Sequence, residues 1–212
     1  MKLKVCGMRD NDNILELSKL NPDYMGFIFY DKSSRYVTQT TPTLPDSIMK
    51  TGVFVNSPVE FIIDRIDTHQ LRAIQLHGNE SVEFCKYLKT VLHNTQIIKV
   101  FSIKDDFDFT KLTAYEPYVD YFLFDTKGKL PGGNGYTFDW SVLKNYNATK
   151  PYFLSGGIGI ESLLNLKDFF NLPASEKCIA IDVNSKFETA PGLKNIELLK
   201  KFKTELAAVN LI

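Results

Sequence analysis

Residues 1–29, MKLKVCGMRDNDNILELSKLNPDYMGFIF, hold a complete strand–helix–strand unit. Leu3–Cys6 and Tyr24–Phe29 are short apolar runs, the pattern of strands covered on both faces. Between them Asn11 or Asp12 can cap a helix running through Leu20, whose apolar positions are Ile14, Leu15, Leu17 and Leu20. Two strands joined by a crossover helix pair in parallel. The question is how often the unit repeats.

It repeats along the whole chain. Further strand-like runs are Gly52–Val55, Ala73–Leu76, Ile97–Phe101, Tyr121–Asp125, Tyr152–Ser155 and Cys178–Val183. Helical patterns follow several of them. Ser57-Pro58-Val59-Glu60 offers a cap, an early proline and an acidic first turn. Glu80–Leu92, Gly159–Phe169 and Leu193–Leu206 are amphipathic. The segments after strands two, five and six are less clearly helical, and Thr40–Ser47 with its two prolines predicts only a turn or two. Eight strands alternating with helices predict an α/β fold, a single (βα)8 TIM barrel occupying residues 1–212 as one domain.

Composition narrows the function. Lysine plus arginine equals aspartate plus glutamate at 25 each among 212 residues, so the formal net charge is zero. That disfavours a nucleic-acid partner, whose binding draws on a basic excess. No stretch is long enough for a signal peptide or membrane span, so the expected setting is cytoplasmic, with no membrane partner. The cysteines Cys6, Cys85 and Cys178 form no CxxC pair and read as reduced thiols. Cys85 and Cys178 read as helix-face and strand-core residues, and His69 and His93 as surface residues. No zinc spacing and no dinucleotide fingerprint appears, so neither metal nor cofactor is expected.

The chemistry-bearing residues cluster just past predicted strand ends. They lie in Cys6-Gly7-Met8-Arg9, Ser33-Ser34-Arg35-Tyr36-Val37, Gln75-Leu76-His77-Gly78, Asp125-Thr126, Gly132-Gly133-Asn134-Gly135, Ser155-Gly156-Gly157 and Asp182-Val183-Asn184-Ser185. A parallel barrel opens all its strand C-termini on one face, so these segments should line one pocket. Read singly, each has a bland alternative. Cys6 can be a small core residue, Asp125 a turn cap, Arg35 a solvated loop arginine, and the glycine pair a tight turn.

Taken in order, KVCGMR, SSRYV, QLHG, FDT with GGNGYTFDW, LSGG and DVNSKFETAPGLKN resemble the phosphoribosylanthranilate isomerase family over Lys2–Asn195. The resemblance implies a cofactor-free Amadori rearrangement of N-(5-phosphoribosyl)anthranilate, a small phosphorylated substrate, by a monomer or homodimer. It implies Cys6 as general base and Asp125 as general acid. Such an acid must hold its proton at neutral pH, which an apolar setting favours. It implies Arg35 as the ligand of the anthranilate carboxylate, which a guanidinium fork suits. It implies a phosphate site at Gly156, Gly157, Asn184 and Ser185, after strands seven and eight. Gln75, His77 and Asp182 are expected on the same face, His77 equally well as a structural residue, and Gly133 and Gly135 in a loop that closes over substrate. The sequence departs from the family pattern at Ser34, usually proline, at Asn134, commonly threonine, and at Lys186, often glycine. Two other readings compete. One is a different phosphosugar barrel, such as indole-glycerol-phosphate synthase or a histidine-pathway isomerase. The other is a barrel that binds a phosphorylated ligand without turning it over.

Overall fold

The computed structural model describes residues 1–103, 107–126 and 140–212. Eight parallel strands close into a barrel in sequence order. They are β1 (Lys2–Val5), β2 (Tyr24–Ile28), β3 (Met49–Phe54), β4 (Ala73–Leu76), β5 (Gln96–Ile103), β6 (Tyr121–Thr126), β7 (Tyr152–Ser155) and β8 (Cys178–Val183). Closure comes from β1 and β8, which pair from Lys2↔Ala180 to Val5↔Val183. All eight predicted strands are present, with ends shifted by up to three residues.

Among the described residues five α-helices cover the outside: α1 (Asn11–Ser18), α2 (Val59–His69), α3 (Val82–Val91), α4 (Leu163–Phe170) and α5 (Ile196–Ala208). Among the described residues after β5 and β6 the helical segments are short 3₁₀ turns, where the sequence carries weak periodicity. The helix starts differ from the sequence reading for local reasons. Asp10, rather than Asn11 or Asp12, caps α1, accepting from the amide of Asn13. Pro58 is the cap residue of α2 and contributes no side-chain bond, since Ser57 lies one residue too early. Ser81 caps α3 through the Phe84 amide. That frees Glu80 for a buried ion pair with Lys99. Asn195 caps α5, because Leu193–Lys194 (β10) first pairs with Glu188–Ala190 (β9) in a small antiparallel hairpin. Asn13 holds this hairpin, exchanging hydrogen bonds with both backbone groups of Lys194. His69, expected at the surface, is buried beside Thr41 and the Phe29 ring. Burial favours its neutral form, lowering its pKa to about 4, with the Arg65 and Lys50 charges adding to the effect.

The period of two sorts each strand into an inner and an outer row. Leu3 and Val5 of β1, Met25 and Phe27 of β2, and Ile74 and Leu76 of β4 face the helices in the main core. A second apolar cluster plugs the lower barrel with Tyr24, Ile98, Val100, Leu123, Phe153 and Ala180. Two residues further up, the inner row changes character. Leu123 is followed by Asp125, Phe153 by Ser155, and Ala180 by Asp182. The fold therefore stacks an apolar layer beneath a polar mouth.

Candidate active site

The polar mouth begins at β1. Lys4 is fully buried inside the barrel, and its Nζ donates to Oδ1 of Asp182 at 2.8 Å. Burial pulls the Lys4 pKa down, but Asp182 and the neighbouring Cys6 outweigh it, so the ammonium is held. Ser155 adds a 3.2 Å hydrogen bond to Oδ2 of Asp182. Strands β1, β7 and β8 are thus tied together just below the opening.

Cys6 comes two residues after Lys4 and is also buried. Its amide donates to the Val183 carbonyl, which extends the β1–β8 ladder by one residue. Space for the sulfur comes from Gly26 on β2. A Cβ there would meet Sγ at 2.6 Å. Burial pushes the thiol pKa up; the Lys4 and Lys194 ammonium groups pull it back, and Asp182 raises it. Burial at the barrel mouth is what the bland reading of Cys6 expects, and the nearby charges are what a functional reading would need.

Gly7 follows in the left-handed region, at φ +78°. A side chain there would strike Oδ1 of Asn184 at 2.5 Å and Cδ of Arg35 at 2.8 Å. The bare glycine lets both side chains converge beside Cys6. Arg35 comes from the loop after β2. It donates through Nε to Oε1 of Glu188 at 2.8 Å and through Nη2 to Oε2 at 2.5 Å. Lys194 Nζ lies 2.6 Å from Glu188 Oε1 and 2.7 Å from Asn184 Oδ1. Burial raises the Glu188 pKa, but bonds from Arg35 and Lys194 outweigh this and hold it at about 2. The Asn184 side chain is therefore turned toward Lys194.

Across the mouth, β4 and β6 supply the second half. Gln75 is buried on the inner row, and its Nε2 lies 3.0 Å from His77 Nδ1. Gln75 Oε1 is buried and has no hydrogen-bond partner among the described residues. His77 Nε2 lies 3.8 Å from Asp125 Oδ2, and both side chains are partly open to solvent. Asp125 thus has an imidazole neighbour as well as the apolar strand residues around it.

The loops after β7 and β8 lie side by side. Gly156 and Gly157 both have positive φ, +104° and +65°, conformations that glycine adopts without strain. A Cβ on Gly157 would meet nothing within 4 Å, so the backbone there faces open space. Ser185 opens a one-turn 3₁₀ helix, Ser185–Phe187. Lys186 pairs with Glu161 at 2.8 Å across the two loops, both side chains being exposed. Its charge is thereby partly compensated.

The structure brings together Cys6, Arg35, Gln75, His77, Asp125, Gly156, Gly157, Asp182, Asn184 and Ser185 at the C-terminal ends of the strands. Gly133 and Gly135 lie outside the described residues. Lys4, Gly26, Glu188 and Lys194 were not singled out from the sequence. A signal for Lys4 existed, since a lysine two residues before Cys6 must share its face in a strand. Glu188 and Lys194 lie inside the quoted stretch DVNSKFETAPGLKN, but nothing local to it points to Arg35 as their partner. Among the described residues no group of His, Cys, Asp and Glu could hold a metal ion. Nor is any helix among them long and apolar enough to cross a membrane.

Comparison with known proteins agrees with this fold. A family profile described as N-(5'-phosphoribosyl)anthranilate (PRA) isomerase matches residues 3–205. An N-(5'-phosphoribosyl)anthranilate isomerase of Parabacteroides distasonis is 43% identical over 208 residues, covering 95% of this chain and 91% of its own. The crystal structure of phosphoribosyl anthranilate isomerase from Thermotoga maritima superposes with a TM-score of 0.80 at 30% identity, covering 98% of this chain and 99% of that one. A further structure of such an isomerase, in complex with reduced 1-(o-carboxyphenylamino)-1-deoxyribulose 5-phosphate, gives a TM-score of 0.78 at 28% identity, covering 98% and 99%.

Proposed function

The chain belongs to the N-(5'-phosphoribosyl)anthranilate isomerase family, and from that premise we propose that it converts phosphoribosylanthranilate to 1-(2-carboxyphenylamino)-1-deoxyribulose 5-phosphate with Cys6 as base and Asp125 as acid. Residues 1–212 act as one catalytic domain in the cytoplasmic tryptophan pathway. The observation that carries the reading is the placement of Cys6 and Asp125 on the inner rows of β1 and β6, at one barrel mouth with Arg35 at its rim.

The reaction needs two proton-transfer groups. Asp125 donates a proton to the furanose ring oxygen as the C1–O bond breaks. The anthranilate nitrogen lone pair then forms the C1=N iminium. The Cys6 thiolate takes the C2 proton, and the C–H electrons become the C1=C2 bond of an enaminol with neutral nitrogen. Loss of the O2 proton and gain of one at C1 gives the aminoketose. A base used this way must reach its anionic form; burial holds the thiol above its ordinary pKa, and the Lys4 and Lys194 charges oppose that rise.

The remaining residues hold the substrate in this reading. Arg35 receives the carboxylate. The amides at Gly156, Gly157 and Ser185 receive the phosphate, with Asn184 bracing the loop. Gln75 Oε1, a buried acceptor without a donor among the described residues, is suited to a substrate hydroxyl or N–H. His77 and Asp182 orient Asp125 and Lys4. The phosphorylated product analogue bound by a structural relative supports this ligand class.

The test is turnover by the wild-type chain. Freshly formed phosphoribosylanthranilate should lose its fluorescence and yield the carboxyphenylamino-deoxyribulose phosphate, identified by mass and chromatography. Binding without conversion in a folded protein would refute the enzymatic reading and leave a phosphate-ligand barrel.

A further inference from the structure

Arginine carries five N–H donors arranged as two forks. In this protein the Nε–Nη2 edge of Arg35 is engaged by both oxygens of Glu188. The Nη1–Nη2 edge has no partner among the described residues. Only one geometry then remains for a second carboxylate, end-on at the far edge. Glu188 is itself fixed from behind. Its Oε1 accepts from Lys194 Nζ at 2.6 Å and from the Gly192 amide at 3.1 Å, and the Lys194 side chain is completely buried. Gly7 is the floor on which the Arg35 stem lies.

Charge matters as much as direction. An Arg35–Glu188 pair alone is neutral and would attract an anion weakly. Lys194 adds a second positive charge, so the three-residue group keeps one net positive charge beside the mouth. A bidentate hold also fixes a long side chain that would otherwise lose rotamer entropy on binding.

We infer that Glu188 is a positioning residue that pre-sets the free fork of Arg35 for the aromatic carboxylate of the substrate. This rests on the reading of Arg35 as the carboxylate ligand. Glu188 touches no reacting atom. It acts on the carboxylate through Arg35, so its removal should change the preference for the carboxylated substrate, whereas any effect reaching Cys6 through Lys194 falls on both substrates alike.

The experiment compares two substrates, phosphoribosylanthranilate and its counterpart made from aniline, which lacks the carboxylate. Values of kcat and KM are measured for wild type, Arg35→Ala, Glu188→Gln and the double variant. The expected result is that Glu188→Gln lowers the preference for the carboxylated substrate about tenfold, through KM, as loss of a charge-assisted hydrogen bond should. Any change on the aniline compound is smaller than on the carboxylated one, and Glu188→Gln alters the preference no further in the Arg35→Ala background. An unchanged or greater preference in Glu188→Gln overturns the inference, provided Arg35→Ala loses the preference. So does an equal loss on both substrates. If Arg35→Ala keeps the wild-type preference, the carboxylate reading of Arg35 itself fails. Should Glu188→Gln not fold, Arg35→Lys decides. A lysine cannot serve Glu188 and the substrate with two forks, so it should behave as alanine does, and full retention of the preference overturns the inference.

Discussion

The ammonium of Lys4 and the carboxylate of Asp182 meet at 2.8 Å inside the barrel, on adjacent strands β1 and β8, both side chains being buried. Cys6 sits on the same inner row as Lys4. The pair therefore fixes a positive charge next to the proposed base, and Asp182 limits how much of that charge Cys6 feels.

Replacing Lys4 tests this arrangement. Lys4→Met removes the ammonium that favours the thiolate and leaves Asp182 to oppose it. Both changes raise the Cys6 pKa further. The ultraviolet thiolate titration should move to higher pH, and kcat at neutral pH should fall at least about tenfold. The lone buried carboxylate should also cost about 3–5 kcal/mol of stability. Lys4→Met combined with Asp182→Leu should recover stability without recovering kcat. Recovery of both would show that Lys4 has only a structural role.

Gly26 makes a sharper steric prediction. An alanine Cβ would lie 2.6 Å from the Cys6 sulfur and 3.0 Å from its Cα. Backbone as well as side chain must shift. Gly26→Ala should cost about 1–3 kcal/mol in stability. Misplacing the base should lower kcat by about tenfold or more. Denaturant titration and steady-state kinetics check the two parts separately. Normal kcat would mean the thiol position does not matter.

Glu188 gives a pH signature. Its folded pKa is about 2, below the ordinary value of 4.5, because Arg35 and Lys194 outweigh burial. A depressed carboxylate stabilises the fold above its unfolded pKa, and that stability is lost as pH falls from 4.5 toward 2. The contribution is roughly 2–3 kcal/mol. Urea unfolding across this window should show a smaller fall in stability for Glu188→Gln than for wild type. Parallel curves would show that Glu188 is not coupled to folding in this way.

Behind β4 and β5, Lys99 donates to Glu80 Oε2 at 2.9 Å, and both side chains are 2% exposed. Glu80 also accepts from the amides of Asn56 and Gly78, at the tops of β3 and β4. Glu80→Ala should unfold at markedly lower denaturant, by about 3–5 kcal/mol, because Lys99 is left without its counter-charge. A loss below about 1 kcal/mol, within the range of an exposed pair, would contradict this.

Much of this architecture was legible in the sequence. Apolar runs such as Tyr152–Ser155 and Ala73–Leu76 matched observed strands residue for residue, because strands covered on both faces admit few polar side chains. The strand-end positions of Cys6 and Asp125 followed from topology alone. Lys4 and Lys99 were harder to interpret, since a lysine inside an apolar run resembles a strand edge until its carboxylate partner is known. Asp182 lies 178 residues from Lys4, and no local pattern connects them. The same holds for Arg35 and Glu188, 153 residues apart. His69 was misplaced because a helix-end histidine usually faces water, whereas here the loop carrying Thr41 folds over it.

The measurement that bears most directly on the central claim is kcat for phosphoribosylanthranilate conversion by wild type, Cys6→Ala and Asp125→Asn at matched folded concentration. Loss of a positioned base or acid should reduce kcat by about 10²–10⁴ in each variant, with circular dichroism unchanged. Turnover near the wild-type rate in either folded variant would contradict its assignment as base or acid.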